Sequence, residues 1–311
     1  MCTAIRFSDR LFGRTYDYER SFGEELTVTP RGRARIGEAE NRYAIMGIGV
    51  LDDGFPLYFD GVNEWGLTAA ALDFPRYAVY RDDSDAKARV QSSHLITLIL
   101  GFSKSVEEVK GMVKNITLID NEGTLGKAPL HWIVSDPRQS VVIESVESGL
   151  FVYDNPLGVL TNSPELPYHL TRLADFSALS PKNPEETTSP LYSRGMGAMG
   201  LPGDYSSSSR FVRAAFLKKY AQVPDGDGIE GVNAAFDIMS AVSVPRGAVL
   251  TEGGAMPHTR YTAVIDMEKP SYYLTTAACR TVGRLRLSDS LSEGGRIMSI
   301  PIYREQSFIE L

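Results

Sequence analysis

Cys2 is the residue in this sequence whose position alone gives it a chemistry of its own. A small side chain after Met1 allows the initiator residue to be trimmed, and trimming would leave Cys2 with a free α-amino group beside its thiol. Such an amine has a reference pKa of about 7.7–8.0, so near neutral pH a sizeable fraction is unprotonated. It can take the thiol proton directly or through a water, which makes nucleophile and base one residue. The reaction open to that pair is acyl transfer from an amide. Position by itself is thin ground, because a cysteine also follows Met1 by accident.

Other chemistries find less support. His94, His131, His169 and His258 stand singly, with no His-x-x-x-His spacing and no paired cysteines, so no metal site is expected. Each histidine reads as a structural or surface residue. Gly195-Met196-Gly197 lacks the preceding strand of a dinucleotide site, and neither a phosphate loop nor a serine nucleophile elbow is present. No cofactor is expected. Cys279 follows Thr275-Thr276-Ala277-Ala278 and reads as a small buried residue, not as a disulfide partner of Cys2.

Composition narrows the partners. The net charge of −7 leaves no basic stripe to neutralise phosphates, so nucleic acid is not an expected partner. Apolar residues make up 43% and charged residues 23%, as in ordinary soluble globular chains. No charged start leads into an apolar run, and the most apolar window, 95–102, is too short to span a membrane. A cytoplasmic protein without membrane contact is expected.

The elements that must position Cys2 follow from pattern and punctuation. Strands are expected over 3–7, 26–29, 43–51, 57–60 and 66–72, the last two forming a hairpin about Asn63-Glu64-Trp65. A second hairpin joins 131–135 to 140–146 through Asp136-Pro137-Arg138-Gln139. Helices are expected over 92–100, over 105–113 with Ser105 and Glu108 in capping-box spacing, over 210–220 and over 231–242. Strands return over 261–267, 271–276 and 281–287. The polar, Pro- and Ser-rich stretch 175–190 reads as a loop or arm. Strands, then helices, then strands without βα alternation predict an α+β layered fold, and one domain over 1–311 is expected.

Longer segments carry a resemblance. Met1-Cys2-Thr3-Ala4, Phe12-Gly13-Arg14-Thr15-Tyr16-Asp17, Asp60-Gly61-Val62-Asn63-Glu64-Trp65-Gly66-Leu67 and Gly158-Val159-Leu160-Thr161-Asn162-Ser163-Pro164 occur in that order. Tyr192-Ser193-Arg194-Gly195-Met196-Gly197 follows and runs into Leu201-Pro202-Gly203-Asp204-Tyr205, and then Ser209-Arg210-Phe211. Together they resemble the choloylglycine hydrolase family, the conjugated bile salt hydrolases and penicillin V acylases, which are N-terminal-nucleophile hydrolases. The resemblance implies a four-layer αββα sandwich, activation by removal of Met1, and a homotetramer with an arm near 165–205 that takes part in oligomerisation.

It also implies roles. Cys2 would attack the amide carbonyl, with Arg14 and Asp17 packed about it; Arg14 favours the thiolate and Asp17 orients the amine. Asn162 would be an oxyanion donor and Arg210 a second active-site arginine. Asp73 departs from the pattern, standing where bile salt hydrolases usually carry Asn and penicillin V acylases Tyr. Its backbone N–H would still serve the oxyanion hole, but an ionised side chain would repel the carboxylate or sulfonate of a conjugated bile salt. Arg194, Arg76 and Arg210 are the cations available to neutralise it.

Tyr16, Tyr18, Phe22 and Phe59 are the candidate walls for a small-molecule amide with a large apolar acyl group. Glycine- or taurine-conjugated bile salts are the first expectation, and the Ser193-Arg194-Gly195 run looks more like that branch. Penicillin V, or another N-acyl compound such as an acyl homoserine lactone, is the enzymatic alternative. A catalytically silent protein that binds apolar ligands and keeps Met1 is the remaining one.

Overall fold

Two antiparallel sheets face one another at the centre of the computed structural model, which describes residues 1–81, 88–120, 126–224 and 229–310. The six-stranded sheet runs in the order Val159–Leu160, Cys2–Arg6, Leu11–Tyr18, His258–Asp266, Ser271–Thr276, Gly283–Arg286. The eight-stranded sheet runs Gly149–Asp154, Ser140–Val146, Leu130–Ser135, Thr68–Asp73, Phe55–Asn63, Ile45–Asp52, Glu25–Thr29, Met298–Pro301. Period-two alternation divides the apolar residues between layers. In Thr68–Asp73, Ala70 and Leu72 join the core between the sheets, whereas Ala69 and Ala71 pack with Leu95 and Ile99 of the helix outside.

Helices Leu95–Phe102 and Val106–Val113 cover the eight-stranded sheet, and Ser207–Tyr220 with Ile229–Ser240 cover the other. The expected αββα sandwich is therefore present. Ser105 caps its helix as expected, accepting from the Glu108 N–H, while the Glu108 carboxylate accepts from the Lys104 N–H. The first hairpin forms too, with its first strand longer than expected, Phe55–Asn63, and its second shifted to Thr68–Asp73. Gly66 in its turn has φ +79°, and a Cβ there would stand 2.0 Å from the Met267 carbonyl oxygen. Only glycine lets this turn close against the opposite sheet.

Several boundaries move. The expected helix over 92–100 begins as a 3-10 turn, Ser92–His94, and that over 210–220 starts earlier at Ser207, capped by Ser206. Strand Leu11–Tyr18, third in its sheet and buried along most of its length, was not among the expected elements. Glycine and charged residues interrupt its apolar run, yet it sits between Cys2–Arg6 and His258–Asp266, with partners on both edges. Among the described residues no helix is long and apolar enough to cross a membrane.

Candidate active site

The ladder between the first two strands decides what surrounds the thiol. Cys2 pairs with Tyr16 and Ala4 with Arg14, so Cys2, Arg14 and Tyr16 project from one face. Thr3, Thr15 and Asp17 alternate to the other face, where helix Ser207–Tyr220 packs. Arg14 and Asp17, three residues apart, therefore lie on opposite sides of the strand.

Cys2 is 2% exposed. Its Sγ lies 3.7 Å from Arg14 Nη2. Its backbone nitrogen, the atom that removal of Met1 would turn into the α-amine, donates to Asn162 Oδ1 at 2.9 Å. Arg210 is fully buried and knits the same atoms together. Its Nη1 donates to the Cys2 carbonyl at 2.5 Å and to Thr3 Oγ1 at 2.8 Å, and its Nη2 to Asn162 Oδ1 at 2.6 Å. Arg14 is also buried, and its partner is not Asp17 but Asp60, with which it forms an ion pair.

Asp17 is fully buried, and its carboxylate accepts from Thr259 Oγ1 at 2.6 Å and from Thr15 Oγ1 at 3.2 Å. Burial pushes its carboxyl up, while Arg210, the terminal ammonium and the two threonines pull it back. Its main chain pairs with Met1: the terminal ammonium donates to the Asp17 carbonyl at 2.8 Å, and the Asp17 N–H donates to the Met1 carbonyl at 3.0 Å.

Asn162 Nδ2 donates to the Asp73 carbonyl at 2.7 Å. Asp73 is opposite Leu130 in the ladder. The Leu130 N–H is taken by Tyr80 Oη at 2.8 Å, and the next pair bonds instead, Phe74 N–H to the Pro129 carbonyl at 2.7 Å. Asp73 thus occupies a pair without backbone hydrogen bonds, and its N–H points away from Leu130 together with its C=O, toward Asn162. Burial pushes the Asp73 carboxyl up; the terminal ammonium and His131 oppose this and Glu19 adds to it. None of the arginines expected to neutralise Asp73 does so. Arg210 is committed to Cys2 and Asn162, Arg76 is exposed at a turn, and Arg194 lies on the exposed arm outside the residues that line the pocket.

That pocket, about 160 Å³, opens beside Cys2. Tyr16, Tyr18, Phe22 and Phe59 all line it, together with Asp73, Leu57 and Trp132. The aromatic wall is continuous: Tyr16 stacks on Phe59 at 5.4 Å and on Tyr18 at 6.0 Å, and Phe22 meets Tyr18 at 5.2 Å. A flat apolar molecule would lie against it with its polar end toward the thiol. No cluster of metal-ligating residues occurs among the described residues.

A family model for linear amide C-N hydrolases of the choloylglycine hydrolase family matches residues 2–292. The chain belongs to that family. The choloylglycine hydrolases similar to it include a bile salt hydrolase/transferase of Lactiplantibacillus plantarum, 38% identical over 99% of each chain. Among solved structures, the C2A mutant conjugated bile acid hydrolase from Clostridium perfringens superposes with a TM-score of 0.92 at 30% identity, covering 100% of both chains. Penicillin V acylase from Agrobacterium tumefaciens shares the fold, with a TM-score of 0.77 at 22% identity over 97% of this chain and 91% of its own. As a member of the choloylglycine hydrolase family the protein is an enzyme, a hydrolase of linear amides.

Two histidines that sequence reading left as structural residues turn out to hold the Asn162 segment. His131 Nε2 donates to the Thr161 carbonyl at 3.0 Å while Nδ1 meets Glu144 Oε1 at 3.1 Å, and His169 Nε2 donates to the Asn162 carbonyl at 2.9 Å. Nothing in their spacing along the chain announces this. Burial depresses the His169 pKa to about 4 against the pull of the Asn162 carbonyl. An unfolded histidine titrates near 6.5, so below that pH the unfolded chain takes up a proton that the folded chain refuses until about pH 4. Stability is fully present above pH ~6.5 and is lost as pH falls toward 4, by on the order of 2–3 kcal/mol. Thermal melts at pH 7.5 and 4.5 should show a wild-type drop several degrees larger than that of His169→Gln, which keeps a donor but does not titrate. Parallel curves for the two proteins would remove His169 from the acid response.

Proposed function

We propose that this enzyme hydrolyses the amide bond of glycine- or taurine-conjugated bile salts, with the Cys2 thiol as nucleophile once Met1 has been removed. The observation that carries the reading is the place of Cys2. Its thiol is at the foot of an aromatic-walled pocket, with its nitrogen and carbonyl fastened to Asn162 and Arg210. The relatives named for bile salt or bile acid hydrolysis, similar over the whole chain, point the same way.

In this mechanism the α-amine takes the thiol proton and the thiolate adds to the substrate carbonyl. The oxyanion is met by the Asp73 N–H and by the second Nδ2 hydrogen of Asn162, whose first hydrogen is given to the Asp73 carbonyl. The α-ammonium returns the proton to the leaving amine, and water activated by the same amine releases the acyl group from the thioester. An amine in place of water would accept the same acyl group, which fits the transferase part of one relative's name. Mass spectrometry checks the first requirement, since a purified protein that keeps Met1 has no amine on Cys2. A cytoplasmic homotetramer that uses the arm near 165–205, exposed over 181–190, as a contact accords with this reading.

Asp73 favours a second reading, an N-acyl amide such as an acyl homoserine lactone, because a carboxyl beside the scissile bond disfavours a leaving amine that carries an anion. Penicillin V, whose leaving amine also bears a carboxylate, is the other enzymatic alternative. Incubation with glycocholate, taurocholate and penicillin V, with release of amine measured, separates the two. Penicillin V cleavage with neither bile salt turned over would overturn the first reading. Asp73→Asn should lower KM for taurocholate at pH 7.5 by about three- to tenfold. Because burial raises the Asp73 carboxyl, acidification neutralises it early, so the wild-type KM should approach that of Asp73→Asn as pH falls toward 5. A difference that persists unchanged at pH 5 would mean the charge of Asp73 does not act on the substrate.

A further inference from the structure

Behind Arg14, on the side away from the pocket, lies a group of side chains to which the reaction above assigns nothing. Asp60 is fully buried between the sheets, and its carboxylate accepts three donors. Arg14 Nη1 and Tyr261 Oη both reach Oδ2, the latter at 2.5 Å, and Tyr272 Oη donates to Oδ1. Tyr261 Oη also accepts from Arg14 Nη1 at 2.8 Å, which closes a triangle of arginine, phenol and carboxylate. The other terminal guanidinium nitrogen, Nη2, donates to the Ala71 carbonyl at 2.9 Å and faces Cys2 Sγ. One end of Arg14 is anchored on Asp60 and the other is presented to the thiol.

That division poses an electrostatic problem. A bare carboxylate in contact with a buried guanidinium cancels most of its positive charge, and little field would be left for a thiolate on the far side. Two phenols donating into the carboxylate draw its negative charge toward themselves and away from the arginine. Both phenols are held in the donor form, since burial first and Asp60's charge second push their ionisation well above the ordinary tyrosine range. The same two bonds fix the Asp60 rotamer, and through it the direction in which Nη2 points.

We propose that Asp60, with Tyr261 and Tyr272 bonded to it, is a positioning unit that sets how much of Arg14's charge reaches the Cys2 thiolate. The inference rests on Cys2 being the nucleophile. Tyr272 does not line the pocket; it borders a separate cavity toward the C-terminal strand. It is therefore the member of the unit whose loss leaves the substrate's surroundings intact.

The test reads the thiol directly. In a Cys279→Ala background, the rate at which iodoacetamide alkylates Cys2 is followed from pH 5 to 9. The other ionisable groups about the thiol are Arg210, Tyr16, Tyr18, the pocket carboxyl Asp73 and the α-amine freed by removal of Met1, and none of them is bonded to Asp60. They are common to every variant compared. Tyr272→Phe should slow alkylation at pH 7 by about three- to tenfold, the size of one lost hydrogen bond to a charged group. The rate should recover at higher pH, and kcat should fall with KM unchanged. Asp60→Asn has the opposite sign at acidic pH, because removing the counter-charge frees Arg14 for the thiolate. Should Tyr272→Phe fail to fold, Tyr261→Phe carries the same expectation. A reactive Cys2 whose profile ignores all three variants would overturn the positioning unit and leave the nucleophile standing. A Cys2 that resists alkylation at every pH would sink both.

Discussion

Replacing Cys2 by Ala should reduce amide hydrolysis by on the order of 10⁴-fold or more while the protein stays folded. Loss of the pocket thiol removes the covalent route altogether. Stability should change little, because the Sγ atom has a single weak polar contact, Arg14 Nη2 at 3.7 Å. Deleting one small buried atom costs about 1 kcal/mol. The matching control is Cys279→Ala, half-buried just beyond strand Ser271–Thr276 and lining another cavity, which should leave turnover unchanged. Amine release from a bile salt conjugate, set beside a thermal melt, measures both. A Cys2→Ala protein with more than about a thousandth of wild-type activity would place the nucleophile elsewhere.

Asn162 should rank second. Its carboxamide has two separable duties, and the choice of substitution distinguishes them. Oδ1 accepts from the Cys2 nitrogen and from Arg210, which is a structural duty; Nδ2 donates, which is the duty the oxyanion needs. Asn162→Asp keeps the acceptor and forfeits the donor, whereas Asn162→Ala forfeits both. If the donor matters, both variants should lose about 10²–10³-fold in kcat. The segment itself should stay in place, since the Asn162 carbonyl and N–H remain bonded to His169 and Ser207. An Asn162→Asp enzyme within threefold of wild-type kcat would leave Asn162 as a positioning residue alone.

How far the site could be read from the sequence depends on whether a residue acts through its place in the chain or through its neighbours in space. Cys2 was legible as a candidate because a thiol at position 2 is conspicuous by place, and Asn162 and Arg210 because they lie in long, distinctive segments; the fold brings the three together. Three rings of the aromatic wall, Tyr16, Tyr18 and Phe22, lie close to Cys2 in sequence, whereas Phe59 is brought in by strand Phe55–Asn63. Strand Leu11–Tyr18 was harder, for its apolar pattern is broken by Gly13, Arg14 and Asp17, the last two of which belong to the candidate site. Asp60 stood in a segment already singled out, yet an acidic residue in an apolar strand does not say which cation it meets. Tyr261 and Tyr272 lie about 200 residues further on and read as ordinary strand aromatics. Arg194 failed for the reverse reason: its motif is distinctive, but the arm that carries it stands in solvent. The αββα arrangement came through largely intact, because two-residue alternation and turn chemistry are local signals.

Under the proposed activation by loss of Met1, the pair of bonds between Met1 and Asp17 sets a clock on that trimming. While Met1 is present it extends the ladder of the first two strands by one rung, and the bond to be cut lies between that rung and a Cys2 nitrogen held by Asn162. A peptidase that grips a free chain end cannot work on an end stitched into a sheet. The first hairpin can zip up early, but Asn162 is made 160 residues after Cys2. At ordinary rates of synthesis that interval is on the order of ten seconds. Trimming has that long to happen before the sandwich shuts over its own precursor, so slow peptidase supply or fast refolding from denaturant would trap a well-folded, inactive population that later addition of peptidase converts poorly.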